Sequence, residues 1–241
     1  MKDDDSLSAR IDDLESSDKP VIRAAVDALI PLAAESSDLR GTLNLLLLDT
    51  QRKNRWPVAY ILAHLPQPSS ETIQILLDGL DHPEPDIRWA IGLLLVRLGK
   101  AEHGVVERLL ELCTKGSSPQ KRMAAYLVRN LNLNDENSLE ILLALLHDTD
   151  PTVRIAVVTS LKDRSQVGAE GRQKLLRVFS DDSDTRVRNA AAITLAQLGS
   201  PSDEFLRALT KACESEEAQI KKAALAALAL LKNKRSAPTG S

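Results

Sequence analysis

The sequence predicts an all-α protein made of repeated helical hairpins, and two observations lead to that prediction. The first is composition: of the 241 residues, Leu supplies 41 and Ala 28, whereas Phe, Tyr and Trp together make up 2%. Strands favour β-branched and aromatic side chains, and this chain favours strong helix formers instead. The second observation is an internal repeat, in which a basic residue recurs every 32 to 34 positions. Self-similarity at this period is typical of stacked helical repeats.

Seven copies of the repeat follow one another along the chain. Ala stands two positions after the basic anchor in six copies, and Pro stands three positions before it in four. A Pro in the first turn is typical of a helix start, because the N–H that it lacks would have had no partner inside the helix. The anchors are Arg23, Arg55, Arg88, Arg122, Arg154, Arg188 and Lys221. In five copies a predicted N-cap stands four positions earlier: Glu84, Ser118, Asp150, Asp184 and Glu217.

Each copy predicts two helices. The residues after Arg88 are apolar at helical spacing, and Gly99 then interrupts the pattern. A second amphipathic segment follows at 105–113, and its counterpart in the sixth copy lies at 205–213. A hairpin of this kind cannot bury its apolar faces alone, so we expect each one to stack on its neighbours.

Two copies depart from the common pattern. The second has Pro57 where Ala is usual, so its helix should start late or kink. In the fourth, the apolar positions fit better if Lys121 is the anchor in place of Arg122.

The two ends differ from the repeats between them. Leu7, Ile11 and Leu14 form a narrow apolar stripe, which predicts an N-terminal capping helix over residues 1–17. The solenoid domain is predicted at 18–232 and a disordered tail at 233–241. The last helix is apolar nearly all round at 223–231. Two interpretations of it stay open: self-association through this helix, or simple tolerance of small Ala side chains in water.

The run Asp-x-Asp-Pro-x-Val-Arg-x-Ala at 148–156 resembles the HEAT repeat, in the short form named after phycobilisome lyases. The resemblance extends over 18–232 and implies a right-handed α-solenoid (superhelix) of about seven stacked hairpins, an armadillo-type fold. It also implies a structural ladder, in which the recurring arginines pair with Asp residues of adjacent repeats. The ladder arginines would be Arg23, Arg55, Arg88, Arg122, Arg154 and Arg188, and the candidate carboxylates Asp18, Asp81, Asp148, Asp150, Asp181 and Asp184.

Net charge and hydropathy argue against a nucleic-acid-binding, membrane-bound or secreted protein. The net charge of −3 gives no general attraction to nucleic acid or to anionic membranes. The longest apolar stretch has nine residues, too few to cross a bilayer, and no apolar segment follows the acidic start as it would in a signal peptide. We therefore expect a soluble, cytoplasmic protein.

The sequence predicts no catalytic, metal or cofactor site. No GxxxxGK[ST], GxGxxG, GxSxG or CxxC motif occurs, and the His-Glu dipeptide of HEAT-type iron hydroxylases is missing. Cys113 and Cys213 occupy equivalent slots three repeats apart, too distant for a disulfide. The histidines are spread over the repeats at His64, His82, His103 and His147.

One surface is a candidate for binding a partner. Trp56 and Trp89 directly follow anchors in adjacent copies, on the side of the helix away from the main apolar stripe. Together with positions one turn later, the predicted strip comprises Trp56, Tyr60, Trp89, Leu93, Met123 and Leu127. The competing interpretation is that successive first helices bury this face against each other.

The predicted function is a non-catalytic protein–protein interaction scaffold or adaptor without a cofactor. Two alternatives remain. One is handling of a phycobilin chromophore, as in the lyases, which rests on the resemblance alone. The other is HEAT-like DNA binding or repair, which is not favoured because basic clusters alternate with acidic helices and six aromatic residues provide few stacking platforms.

Overall fold

The regular secondary structure of the described part of the chain is all helical. The computed structural model describes residues 2–101, 104–162 and 164–236, with side chains over 6–101, 104–162, 164 and 166–233. Within these residues there are 14 α-helices and no β-strand, which confirms the all-α prediction. None of the helices in these ranges is both long and apolar enough to cross a membrane. The helices are α1 (Lys2–Asp12), α2 (Lys19–Glu35), α3 (Ser37–Leu48), α4 (Trp56–Leu62), α5 (Ser70–Asp78), α6 (Pro85–Lys100), α7 (Val105–Lys115), α8 (Ser118–Asn130), α9 (Glu136–Ala144), α10 (Pro151–Ser160), α11 (Gly168–Asp181), α12 (Thr185–Leu198), α13 (Asp203–Cys213) and α14 (Ala218–Ser236).

The helices group into two compact units. Unit 1 comprises residues 1–105 and contains α1 to α6, and unit 2 comprises residues 106–241 and contains α7, from its second residue, to α14.

Unit 2 is a stack of helical hairpins. The helices that carry its anchors, α8, α10, α12 and α14, pack each on the next, while α11 packs on α12 and α13 on α14. Val153, Ala156 and Val157, on the stripe around the anchor of α10, are fully buried. Between layers, the buried Thr194 hydroxyl donates a hydrogen bond of 3.1 Å to the carbonyl oxygen of Val158. The stacking predicted from the repeat is therefore confirmed in this unit.

Three anchor helices of unit 2, α8, α10 and α12, start at side-chain caps. Asp150 accepts a hydrogen bond from the backbone N–H of Thr152, and Asp184 accepts one from that of Arg186. The cap of α8 is Ser117, which forms a reciprocal capping box with Gln120. Ser117 lies four positions before Lys121, so the predicted cap Ser118 is wrong by one residue and Lys121 is the anchor of this copy. A cap of this kind stabilises a helix by about 1 kcal/mol.

Unit 1 is less regular because its middle anchor helix is short. α4 has 7 residues, whereas α2 has 17 and α6 has 16. Pro57 occupies the first turn of α4, in agreement with the late start predicted for this copy. α4 packs on α2, α3 and α5.

Both ends of the described chain are helical. α1 is followed by a 3-10 turn at Asp13–Glu15, where Leu14 is fully buried. Leu7 and Ile11 are half-buried. α14 extends to Ser236, so the first residues of the predicted tail belong to this helix. Residues 237–241 and His103 lie outside the described part of the chain, and the domain bounds 1–17 and 18–232 stay predictions.

Candidate functional site

A cleft opens in unit 1 beside the short helix α4. It has a volume of about 350 Å³, and residues of α2, α4 and α6 line it. Its apolar lining comes from all three helices: Ile22 and Val26, Trp56 and Tyr60, Ile87 and Ala90. The lining from α2 and α6 comes from the first turns of these helices, whereas α4 starts only at Trp56, one residue after its anchor.

The aromatic lining of the cleft is uncharged at neutral pH. The rings of Trp56 and Tyr60 pack edge-to-face, with centroids 6.5 Å apart, and Trp56 packs against His82 at 6.0 Å. Burial raises the pKa of the Tyr60 phenol, so it keeps its proton. Burial also lowers the pKa of the His82 imidazole, which favours the neutral ring.

Charged side chains of both signs border the cleft. The Nζ of Lys19 in α2 lies 2.6 Å from the Oε2 of Glu84 and 3.3 Å from the Oδ2 of Asp86, at the start of α6. These hydrogen bonds, that to Glu84 first, raise the pKa of Lys19. Arg23 and Asp27 of α2 also line the cleft. The three bridging side chains are largely exposed, so they orient the start of α6 more than they stabilise the unit.

The outer face of α6 presents two large apolar side chains. Trp89 is 41% exposed and Leu93 is 59% exposed. On a helical wheel they lie next to Asp86 and Ala90, which line the cleft. Four members of the predicted strip, Trp56, Tyr60, Trp89 and Leu93, are therefore at or beside one cleft of unit 1. That they bind a partner stays a prediction.

The other two members of the strip are corrected by the structure. Met123 is 2% exposed and Leu127 is fully buried, because α8 packs against α10 on this side. Counted from Lys121, Leu127 takes the sixth position after the anchor, the same as Thr194 after Arg188, which is also buried. The residues that take the slots of Trp89 and Leu93 in this copy are Arg122 and Tyr126, both half-buried.

A series of ion pairs runs along unit 2. Arg154 binds Asp182 in a bidentate manner, with its Nε and Nη2 2.8 and 2.7 Å from the two carboxylate oxygens. The Nζ of Lys121 lies 2.9 Å from Asp148, and the Nη2 of Arg188 lies 2.9 Å from Glu217. Each cation thus reaches a carboxylate of the following repeat.

Backbone carbonyl groups complete the binding of these arginines. The Nη1 of Arg154 donates to the carbonyl oxygen of Asp148 at 2.8 Å, and that of Arg188 donates to the carbonyl oxygen of Asp182 at 2.9 Å. Arg88 of unit 1 likewise donates to Pro83 at 2.9 Å. Arg154 and Arg188 therefore hold the turn before their own helix as well as the next repeat, and Arg88 holds the turn before α6.

Two of the three cations pair with carboxylates that the sequence did not predict. Of the six candidates, Asp148 takes part in the series, whereas Asp150 and Asp184 cap helices. The hydrogen bond from Arg186 lowers the pKa of Asp184 to about 2. Asp182 and Glu217 were not among the candidates. The signal that would have found Asp182 is its position six residues before Arg188, since Asp148 stands six before Arg154.

The other predicted ladder residues behave in different ways. Arg23 is 86% exposed and lies 3.8 Å from Asp27 one turn along its own helix, so it makes a surface pair and not a bond between repeats. Arg55 donates to the carbonyl oxygen of Leu47 at 3.0 Å. Arg122 follows the true anchor by one residue, which turns its side chain about 100° away from the anchor position.

Nucleophilic and metal-binding groups are not assembled in the described ranges. No cluster of three or more His, Cys, Asp or Glu residues there could hold a metal ion. Both cysteines are free thiols. Burial raises the pKa of Cys113 to about 12, so its thiol is protonated at neutral pH and is a poor nucleophile.

We expect the two thiols to differ in reactivity towards Ellman's reagent at pH 8. With a pKa of about 12, only about one Cys113 thiol in 10⁴ is ionised at that pH, and the side chain is buried. Cys213 is half-buried and should react first. The folded protein should therefore release one equivalent of thionitrobenzoate quickly and the second only on unfolding. Cys213→Ser should remove the fast phase, and two equally fast equivalents would contradict the burial of Cys113.

Stacked hairpins, capped anchor helices and cations that reach the next repeat define an α-helical repeat protein. The chain belongs to the HEAT-repeat family: the model of that family matches residues 106–196 and 172–239, together more than half of the chain. Before residue 106 the assignment of repeats rests on the anchor spacing and on the hairpins of unit 1.

Several solved structures are similar to this chain. No curated protein matches it. One engineered protein is 21% identical with a TM-score of 0.50, covering 80% of this chain and 98% of its own. Another engineered protein is 20% identical with a TM-score of 0.48 (80% and 96% covered), and a designed armadillo repeat protein is 18% identical with a TM-score of 0.47 (79% and 98% covered). At 21% identity, the first of these structures shows a likeness of fold alone.

Proposed function

We propose that the protein is a non-catalytic scaffold that binds another protein at the surface formed by α2, α4 and α6 of unit 1. The observation that carries the proposal is the exposed pair Trp89 and Leu93 beside a cleft lined by Trp56 and Tyr60. Large apolar side chains grouped on a surface are typical of protein-binding sites. Trp and Tyr are also the residues that most often dominate the binding energy of such sites.

The charges at the cleft favour a protein partner over nucleic acid. A phosphate backbone is bound by clustered cations. Here Lys19 is held by Glu84 and Asp86, and Arg23 stands beside Asp27. A border of both signs suits a polypeptide, whose own rim residues supply both charges.

The proposal is tested with a photo-crosslinking residue at position 93. A matched control carries the same residue at position 45, since Leu45 is 72% exposed on α3 of the same unit. In lysate of the native organism, we expect a stoichiometric protein adduct from position 93 and none from position 45.

Substitutions then show whether the adduct reports a specific site. Leu93→Asp should lower the amount of partner retained in a quantitative pull-down by at least about tenfold, because it places a charge in an apolar contact. Leu45→Asp, with the same chemical change, should leave the partner bound. A partner that Leu93→Asp retains in full would contradict binding at this surface.

A further inference from the structure

The last anchor helix, α14, leaves open a surface that the preceding repeats cover. The fourth and seventh positions after the anchor are buried in the three preceding repeats: Ala125 and Val128, Val158 and Leu161, and Ala192 and Leu195. The hydrogen bond from Thr194 to Val158 shows that the next anchor helix packs on these positions. In α14 the same two positions hold Leu225, which is 52% exposed, and Leu228, which is half-buried.

The cation series reaches the same surface. Lys121, Arg154 and Arg188 each pair with a carboxylate of the following repeat. The next anchor in register is Lys221, which is exposed, as is its neighbour Lys222. No carboxylate occurs in residues 218–233. This edge therefore combines an apolar stripe with cations that lack the acidic partner provided in the earlier repeats.

A cleft of complementary character lies in unit 1, between α1, α2 and α3. It has a volume of about 480 Å³ and is lined by Leu7, Leu32 and Leu39, with Glu35 and Arg10 among its polar residues. Leu32 is 40% exposed. The chain around this cleft is acidic, since residues 6–18 carry four carboxylates against one cation, and Asp12 and Asp13 are exposed.

We propose that the protein self-associates head to tail: the α14 edge of one copy docks in the α1–α2–α3 cleft of a second copy. Leu225 and Leu228 would insert between the three leucines of the cleft. Lys221 and Lys222 would meet Glu35 and Asp12, as the earlier anchors meet the carboxylates of the next repeat. The contact joins two different surfaces, so each copy still has one of each free and the assembly can grow beyond two chains.

A second copy docked through α14 alone is disfavoured by charge. All charged residues at 218–233 are lysines, so two α14 edges facing each other would bring like charges together. Pairing with Glu35 in the cleft and with Asp12 nearby removes that repulsion and adds attraction, which predicts association that weakens as salt rises.

Sedimentation velocity and light scattering on the full chain test the proposal. The wild type should show a mass that rises with protein concentration to at least twice the 26.3 kDa of one chain, at about 0.05 M salt, and falls back at about 0.5 M. Leu225→Asp should stay monomeric under both conditions. Leu48→Asp is the matched control, because Leu48 is 61% exposed at the end of α3 away from the cleft, and it should associate like the wild type.

Charge reversal distinguishes the head-to-tail contact from other modes. Lys221→Glu/Lys222→Glu and Asp12→Lys/Glu35→Lys should each be monomeric alone, and an equimolar mixture should associate again, because each altered surface then finds its opposite charge. A wild type that stays monomeric at every concentration overturns the proposal. So does an Asp12→Lys/Glu35→Lys variant that associates as strongly as the wild type.

Discussion

Replacing Asp182 with Ala should destabilise unit 2 by about 3–5 kcal/mol, because it removes one partner of a buried ion pair and leaves the other without its counter-charge. The side chains of Arg154 and Asp182 are only 11% and 6% exposed. The same carboxylate also accepts a hydrogen bond of 2.8 Å from the backbone N–H of Asp184. The substitution therefore affects two consecutive repeats and the turn between them.

The matched control is Glu217→Ala, one step further along the same series. Glu217 binds Arg188 at a similar distance, 2.9 Å, but its side chain is 55% exposed. Water can replace it on the arginine, so we expect a loss of at most about 1 kcal/mol. Asp182→Asn should fall between the two, since the amide oxygen can still accept the hydrogen bond from Asp184 while the charge is lost.

Urea unfolding followed by two probes measures these effects. Both tryptophans, Trp56 and Trp89, are in unit 1, so their fluorescence reports on that unit, while far-UV circular dichroism reports on the helices of both. We expect Asp182→Ala to lower the free energy of unfolding obtained from the dichroism transition. An equal loss for Asp182→Ala and Glu217→Ala would contradict the role given to burial.

Most of the fold could be predicted from the sequence because similar local signals for a helix start recur in successive repeats. The anchor spacing, the caps and the Pro residues predicted helix starts that the structure shows, including the late start at Pro57. These features act within one or two helical turns, so the sequence displays them directly. The partners of the arginines were harder to predict, because a carboxylate 28 residues away is chosen by the stacking of two repeats.

Part of the candidate surface could be predicted, because a given position after the anchor faces the same way in each repeat. The slots one and five positions after the anchor remain at least partly exposed in the described anchor helices, as at Trp89 and Leu93. The cleft beside them could not be read from this pattern. Its lining comes from the first turns of α2 and α6 and from Trp56 and Tyr60, which the sequence does not place side by side.

Leu127→Ala should cost about 2–5 kcal/mol of stability, whereas Leu93→Ala should change it by no more than about 0.5 kcal/mol. Counting from Arg122 places Leu127 in the same slot as Leu93, and equal small effects would follow. Counting from Lys121 places it among buried positions, where truncation leaves a cavity. The structure agrees with the second register, since Leu127 is fully buried and Leu93 is 59% exposed.

Unfolding and partner binding together separate the two registers. Leu127→Ala should lower the midpoint of urea unfolding and, where the variant is folded, leave the crosslink from position 93 unchanged. Leu93→Ala should do the reverse, with normal stability and less partner retained in the quantitative pull-down. A loss below about 1 kcal/mol for Leu127→Ala would mean that this side chain is not a packed core residue and would restore the register based on Arg122. The one-residue difference in the anchor thus decides whether α8 contributes Leu127 to the core or to the surface.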